Sequence, residues 1–231
     1  MIYGKGDQMK EDHSKYITVI REDTEYYGGN QNLFPEKKLK GFGCGLIAAT
    51  DVIMYLMDCP NTFQWDQYYE SVKKIEKYFF YLPFFGMSGM ALSLGINRVF
   101  HHYRLPYRAW WRLLPLRESS KAKIKKMLED HLPVIISIGP NFPNVFGKKS
   151  VPLYRKAGTG LYHVCGSVHN HYVVITEFTG EDKMKVSSWG KTYYIDWKEY
   201  LDYSRKKSFP VFTNYLDIRG PVKYISEETN N

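Results

Sequence analysis

Cys44 is the residue that its neighbours best equip to act as a nucleophile. It lies in Gly43-Cys44-Gly45, at the start of an apolar stretch that continues to Leu56. Glycines allow a tight turn that leaves the sulfur accessible, and unpaired N–H groups at a helix N-terminus favour thiolate over thiol. The alternative is an inert structural cysteine, because free cysteines are often buried. The other residues of the chain decide between the two.

Two further residues have the chemistry that a thiolate nucleophile needs. His171 begins the apolar strand pattern that continues through Ile175, so a rigid element would present its imidazole as a general base at the end of a sheet. Gln31 follows a glycine turn, and its side-chain amide can donate a hydrogen bond to a developing oxyanion. Nucleophile, base and oxyanion donor together indicate acyl transfer through a thioester.

The order of these residues resembles that of papain-like cysteine peptidases. Gln31, then Gly43-Cys44-Gly45, then the strand at His171, then the block at 187–190 (Ser-Ser-Trp-Gly) follow the family's order over roughly residues 25–200. Within that superfamily the chain is most similar to the peptidases related to bacteriocin-processing (double-glycine leader) peptidases. The resemblance implies that Cys44 is the nucleophile, His171 the base and Gln31 the oxyanion donor.

Ser187 departs from the family pattern. It stands where papain-like peptidases have the Asn or Asp that orients the catalytic histidine. A serine hydroxyl can accept from the imidazole N–H but brings no negative charge, so we expect a weaker Cys–His ion pair. Asp182, Glu177 and Asp196 are alternative orienting groups from neighbouring segments.

The resemblance implies a peptide or protein substrate whose amide bond is cleaved without a metal or organic cofactor. The alternative function is a papain-like module that binds peptide or protein without turnover, which Ser187 favours and the intact Gln31, Cys44 and His171 oppose. Bacteriocin-processing relatives are often attached to transporters. This sequence has no membrane span and no nucleotide-binding motif, so their double-glycine leader substrate does not carry over.

The charge of the chain indicates little about its partners. Its net charge is +8 and its pI is near 9.1, but the lysines are dispersed, so we predict no nucleic-acid partner. Trp110-Trp111, between two arginines, fits a strand with buried aromatic side chains better than a base-stacking surface. The positive charge gives a weak preference for acidic peptides. Oligomeric state is not indicated.

Two other site and compartment hypotheses follow from the sequence. The segment from His163 to His171, with Cys165, offers zinc ligands but lacks CxxC or HExxH spacing, so we predict no metal site.

No apolar run approaches the ~20 residues of a membrane span, and residues 1–14 contain no signal-peptide core. As written, the chain is expected to be cytoplasmic, and secretion of a longer precursor stays open.

The pattern of elements predicts an α+β protein, and the resemblance implies one papain-like domain over residues 1–231. We expect a helical lobe at about 25–131 and a β-rich lobe at about 132–220, with the Cys44 helix packed on a twisted antiparallel sheet. Predicted helices lie at 44–57, 65–79, 88–103, 119–132 and 196–203, and predicted strands at 16–20, 107–113, 134–138, 172–178, 184–188, 192–196 and 211–218. Residues 139–170 read as a long loop.

Overall fold

The computed structural model describes residues 16–57, 60–80, 86–140, 147 and 149–221. Its helices are α1 Lys37–Phe42, α2 Cys44–Leu56, α3 Trp65–Glu76, α4 Gly89–His102, α5 Glu118–Glu129 and α6 Trp197–Lys206. Its strands are β1 Thr18–Arg21, β2 Thr24–Tyr27, β3 Thr62–Gln64, β4 Arg108–Trp111, β5 Val134–Ile138, β6 Val151–Lys156, β7 Tyr162–Val168, β8 His171–Thr179, β9 Lys183–Ser188, β10 Lys191–Asp196 and β11 Leu216–Arg219. The predicted α+β class is confirmed.

The largest sheet contains β8, the strand that begins with His171. Its strand order is β5-β8-β9-β10-β6-β7, and all of its paired strands are antiparallel. β5 is buried at every position, as its uninterrupted Val-Ile-Ile-Ser-Ile sequence requires of a strand covered on both faces. Two small sheets, β2-β1-β3 and β11-β4, lie outside it.

Helix α2 is the most buried helix of the described structure. Every residue of it after Cys44 is buried, because its sequence is apolar on all sides apart from Thr50 and Asp51. It contacts β8, α3 and α4. A Cβ on Gly45 would lie 3.2 Å from the Tyr172 ring, so the glycine lets the first turn of α2 approach β8 closely. Cys44 is thereby held beside the strand that begins with His171.

The predicted loop at 139–170 is wrong over two segments. Residues 151–156 and 162–168 form β6 and β7, an antiparallel hairpin with a bulge between Leu153 and Tyr154. Pro152 and three glycines, at 158, 160 and 166, interrupt the apolar alternation over residues 151–168, so the sequence lacks the usual strand pattern. The last predicted strand, 211–218, begins later than expected and ends one residue further on, at Leu216–Arg219.

Two sequence predictions fall wholly or partly where no structure is described, namely the one for residues 1–14 and the part of the predicted loop at 141–146 and 148. Within the described part of the chain, no helix has both the length and the apolar character needed to cross a membrane.

Burial of α2 should dominate stability. We expect Ile53→Ala, at a fully buried position, to lower the free energy of unfolding by about 2–5 kcal/mol because it removes transfer energy and leaves a cavity. Leu94→Ala, on α4 with 54% of its residue surface exposed, should change it by less than about 1 kcal/mol. Urea unfolding followed by circular dichroism measures both, and equal losses would contradict the central role of α2.

Candidate functional site

Cys44, His171 and Gln31 line one cleft, as the sequence predicted that they would meet. The cleft has an empty volume of about 260 Å³. The three residues come from different elements: the first residue of α2, the first residue of β8, and a short 3-10 helix at Gln31–Leu33. The remaining lining residues are Gly29, Ile47, Ala48, Asp51, Tyr172, Val174, Ser187, Ser188 and Trp189.

The Cys44 thiol is half-buried at the N-terminus of α2. Burial raises the pKa of this thiol, while the backbone N–H groups of Tyr172, Gly45 and Cys44 act in the opposite direction. The resting sulfur is therefore a neutral thiol near pH 7. The same N–H groups are in place to stabilise negative charge when it develops on the sulfur.

His171 is buried and neutral in the resting site. Burial lowers the pKa of its imidazole to about 3. Its Nε2 lies 2.7 Å from Ser188 Oγ, and the Trp189 ring stacks on it with centroids 4.2 Å apart and planes 17° apart. Ser188 thus fixes the direction of the ring, and Trp189 covers one of its faces.

The structure corrects the predicted orienting residue from Ser187 to Ser188. Ser187 lines the cleft, but its hydroxyl donates to the Tyr27 carbonyl at 2.7 Å. Both serines line the cleft, but Ser188 is the one whose hydroxyl hydrogen-bonds to the imidazole. The sequence pattern did not give the register that distinguishes them.

The three acidic alternatives for the orienting role are wrong as well. Each carboxylate pairs with lysine instead: Asp182 with Lys121 and Lys198, Glu177 with Lys185, and Asp196 with Lys183. Within the described residues, no carboxylate hydrogen-bonds to the His171 ring.

Backbone conformation on both sides of the histidine contact is unusual. Asn170, just before His171, has φ +51°, and Trp189, just after Ser188, has φ +49°. Asn tolerates the left-handed region, but a bulky residue rarely adopts it and is strained there. Such strain is retained where surrounding structure over-determines it, often at functional sites. Here the conformation of Trp189 accompanies its stacking on His171.

Gln31 is held in the cleft by a hydrogen bond from its Nε2 to the Lys40 carbonyl, at 2.8 Å. An amide nitrogen carries two N–H groups, so this bond fixes the side chain and leaves a second donor for another acceptor. The geometry is compatible with the predicted oxyanion donor.

Asp51 is the cleft residue whose role the sequence did not reveal. It lies seven residues after Cys44, on the same face of α2, and accepts from Tyr68 Oη at 2.6 Å and Tyr16 Oη at 3.3 Å. It also accepts from the Gly29 N–H at 2.9 and 3.2 Å. Burial raises its pKa to about 6, and these hydrogen bonds limit the rise.

The turn before Gln31 admits only glycine. Gly28 has φ +76°, and a Cβ there would lie 2.3 Å from Ser187 Oγ. A Cβ on Gly29 would lie 2.0 Å from Tyr68 Oη. The Gly28-Gly29 pair thus lets this turn fit between α2, α3 and β9.

The other sequence hypotheses can be placed on the structure. In the part of the chain that is described, no three His, Cys, Asp or Glu side chains are grouped as metal ligands. Trp111 is buried and donates to the Val211 carbonyl, whereas Trp110 is 45% exposed beneath Arg219.

No protein-family model, curated protein or solved structure matches the chain. The papain-like resemblance therefore depends on the order and placement of the residues themselves.

The buried neutral histidine makes a prediction about pH and stability. An unfolded imidazole takes up a proton below its ordinary pKa of 6.5, whereas folded His171 does so only near 3, so stability is lost as pH falls through that window. His171→Gln should remove this contribution. Urea unfolding from pH 4 to 7 should show the wild-type advantage over the variant shrinking with falling pH. A constant difference would contradict a buried neutral His171.

Proposed function

We propose that this chain is a papain-like cysteine hydrolase that cleaves a peptide or amide bond through a Cys44 thioester. The observation that carries the proposal is the meeting of Cys44, His171 and Gln31 in one cleft, with Ser188 Oγ 2.7 Å from His171 Nε2. A nucleophile, a base, an oriented ring and an amide donor are the parts that acyl transfer requires.

In the proposed reaction, the Cys44 sulfur attacks the carbonyl carbon while its proton passes to His171 Nδ1. The carbonyl oxygen becomes an oxyanion, which accepts from Gln31 and from the Cys44 backbone N–H. His171 then protonates the leaving amine as the C–N bond breaks and the thioester forms. Water, deprotonated by His171, then attacks the thioester and releases the acid product. His171 returns the proton to the departing Cys44 sulfur.

This mechanism starts from a neutral thiol and a neutral imidazole rather than an ion pair. Burial disfavours charge on both groups, and among the described residues no carboxylate hydrogen-bonds to the imidazole. Proton transfer would therefore accompany attack, with Nε2–H donating to Ser188 Oγ as the ring becomes charged. The hydrogen bond to Ser188 should then strengthen in the transition state.

A binding module without turnover is the second candidate. The observation that favours it is the same missing carboxylate, since a neutral partner stabilises an imidazolium less than a charged one. The two candidates make different predictions for covalent labelling of the thiol.

Reaction with a fluorescent peptidyl acyloxymethyl ketone distinguishes them. The hydrolase should be labelled at Cys44 and not at Cys165, because of these two described cysteines Cys44 is the one that shares a cleft with a base. Cys44→Ser should abolish labelling, and His171→Ala should slow it by about 100-fold or more, as loss of a general base does. Peptide mapping by mass spectrometry locates the label, with Cys165→Ser as the control.

Labelling that His171→Ala leaves unchanged would contradict the hydrolase. Labelling of the wild type together with no cleavage of any member of a diverse peptide library would favour the binding module.

The two serines give a matched pair of variants. Ser188→Ala should slow Cys44 labelling by about tenfold, the rate equivalent of one hydrogen bond of ~1.4 kcal/mol, because the imidazole loses its orienting partner. Ser187→Ala should lower the free energy of unfolding by about 1 kcal/mol through loss of its bond to Tyr27, with little change in rate. Labelling rates are measured by quenched flow, and the free energy of unfolding by urea denaturation. The reverse pattern would restore Ser187 as the orienting residue.

A further inference from the structure

Strand β7 is an open edge of the largest sheet. It is the last strand in the sheet order, and residues 163–167 are all exposed. Natural edge strands are usually protected by proline, lysine or an inward-pointing charge. β7 has the sequence Tyr-His-Val-Cys-Gly-Ser-Val, which contains no proline, lysine, aspartate or glutamate. Val164 and Leu161 are 62% and 72% exposed.

The outward hydrogen-bonding groups of β7 can be assigned from its hairpin. Ala157 N–H donates to the Leu161 carbonyl at 2.8 Å, so 157 and 161 form a hydrogen-bonded pair. Antiparallel pairs alternate, so Arg155 and His163 form the next one, and the N–H and C=O of Tyr162 and Val164 point away from β6. These groups can pair with another extended chain.

The hairpin is also cationic. The sequence contains no aspartate or glutamate between Asp130 and Glu177. Arg155, Lys156 and His163 are exposed, and within the described residues neither Arg155 nor Lys156 forms an ion pair. A carboxylate does contact the hairpin at Tyr154, whose hydroxyl donates to Glu199, but successive strand residues place Tyr154 and Arg155 on opposite faces.

Aromatic rings connect this hairpin to the candidate catalytic histidine. The Arg155 guanidinium lies 5.5 Å from the Tyr193 ring centroid, and Tyr193 makes an edge contact with Trp189 at 6.1 Å. Trp189 in turn stacks on His171. The cationic end of the hairpin is thus joined to the cleft by a continuous series of contacts.

We propose that the β6–β7 hairpin is a docking surface for an acidic, extended segment of a peptide substrate, which adds to the outer edge of β7 as a further strand. This inference rests on the proposed hydrolase function in treating the bound peptide as a substrate, but binding itself does not require turnover. The peptide backbone pairs with Tyr162 and Val164. Its carboxylates lie near Arg155 and His163 where they face that side of the sheet, and near Lys156 where they face the other.

Other occupants fit the surface less well. Nucleic-acid phosphates accept hydrogen bonds but do not donate, so they cannot pair with both the N–H and the C=O groups of an edge strand. A second copy of this chain would bring two cationic hairpins together, which like-charge repulsion opposes. An acidic peptide satisfies both the backbone groups and the charge.

Fluorescence anisotropy with the full chain carrying Cys44→Ser tests the docking surface without turnover. The probes are a fluorescein-labelled octapeptide of alternating threonine and glutamate, and its threonine–glutamine counterpart. The glutamate peptide should bind about tenfold more tightly at about 0.05 M NaCl, and the difference should fall at about 0.5 M because salt screens exposed charges.

Charge-matched variants separate local recognition from net charge. Arg155→Glu with Lys156→Glu should weaken binding of the glutamate peptide by about tenfold or more. Lys74→Glu with Lys123→Glu changes net charge equally at exposed helix positions away from the hairpin, and should change affinity by less than about twofold. Equal losses in both pairs would overturn the proposal.

Backbone variants test strand addition. Val164→Pro removes an outward N–H without removing a bond to β6, and should weaken binding, whereas Val164→Thr keeps both the N–H and the branched shape. Equal affinity for the glutamate and glutamine peptides would overturn the proposal. So would tighter binding of a labelled oligonucleotide, or a dimer that Val164→Pro dissociates.

These outcomes are separable from the hydrolase test. Peptide binding by Cys44→Ser with no labelling of wild-type Cys44 would support the docking surface and contradict the hydrolase. Labelling of Cys44 with no preference for the acidic peptide would do the reverse.

Discussion

The buried carboxylate of Asp51 is the contact on which the geometry of the site depends. Asp51 lies on α2 and accepts a hydrogen bond from the Gly29 N–H. The Gly29 carbonyl in turn accepts from the Gly190 N–H at 3.0 Å. One side of this connection is the helix that begins with Cys44, and the other is the β9–β10 turn beside Ser188. Gln31 follows Gly29 by two residues. Asp51 therefore connects the three parts through the Gly29 peptide.

Asp51 performs this role at an electrostatic cost. Its pKa is raised to about 6 from 3.8, so the folded state holds the proton more tightly and this group's contribution to stability declines as pH rises through that window. The four hydrogen bonds to the carboxylate offset part of the cost of burial. His171 has the opposite linkage, since its contribution declines as pH falls. Burial rather than charge pairing therefore sets the protonation of the whole cleft.

Local sequence predicted three of the residues that line the cleft. Cys44, His171 and Gln31 each lie at a glycine turn or at the start of an apolar element, and all three meet. Ser188 was missed because the choice between adjacent serines depends on strand register. Asp51 looked like a polar break in α2, since its partners come from distant parts of the chain. The β6–β7 hairpin was missed because Pro152 and the glycines obscure its alternation, and its edge position follows only from the sheet order.

The positive charge of the β6–β7 hairpin lies apart from the cleft that contains His171. A cation close to His171 would lower the imidazole pKa further, because like charges disfavour protonation. Burial has already moved that pKa far from neutrality, so additional positive charge at the cleft would weaken a base. Arg155 lies instead beyond Tyr193 and Trp189, where the intervening rings and solvent reduce its effect on the histidine. An acidic substrate segment bound at that distance would add negative charge on the same side. The same rings and solvent would weaken the effect of those carboxylates on His171, so charge on the hairpin serves recognition and leaves the chemistry of the cleft to the residues that line it.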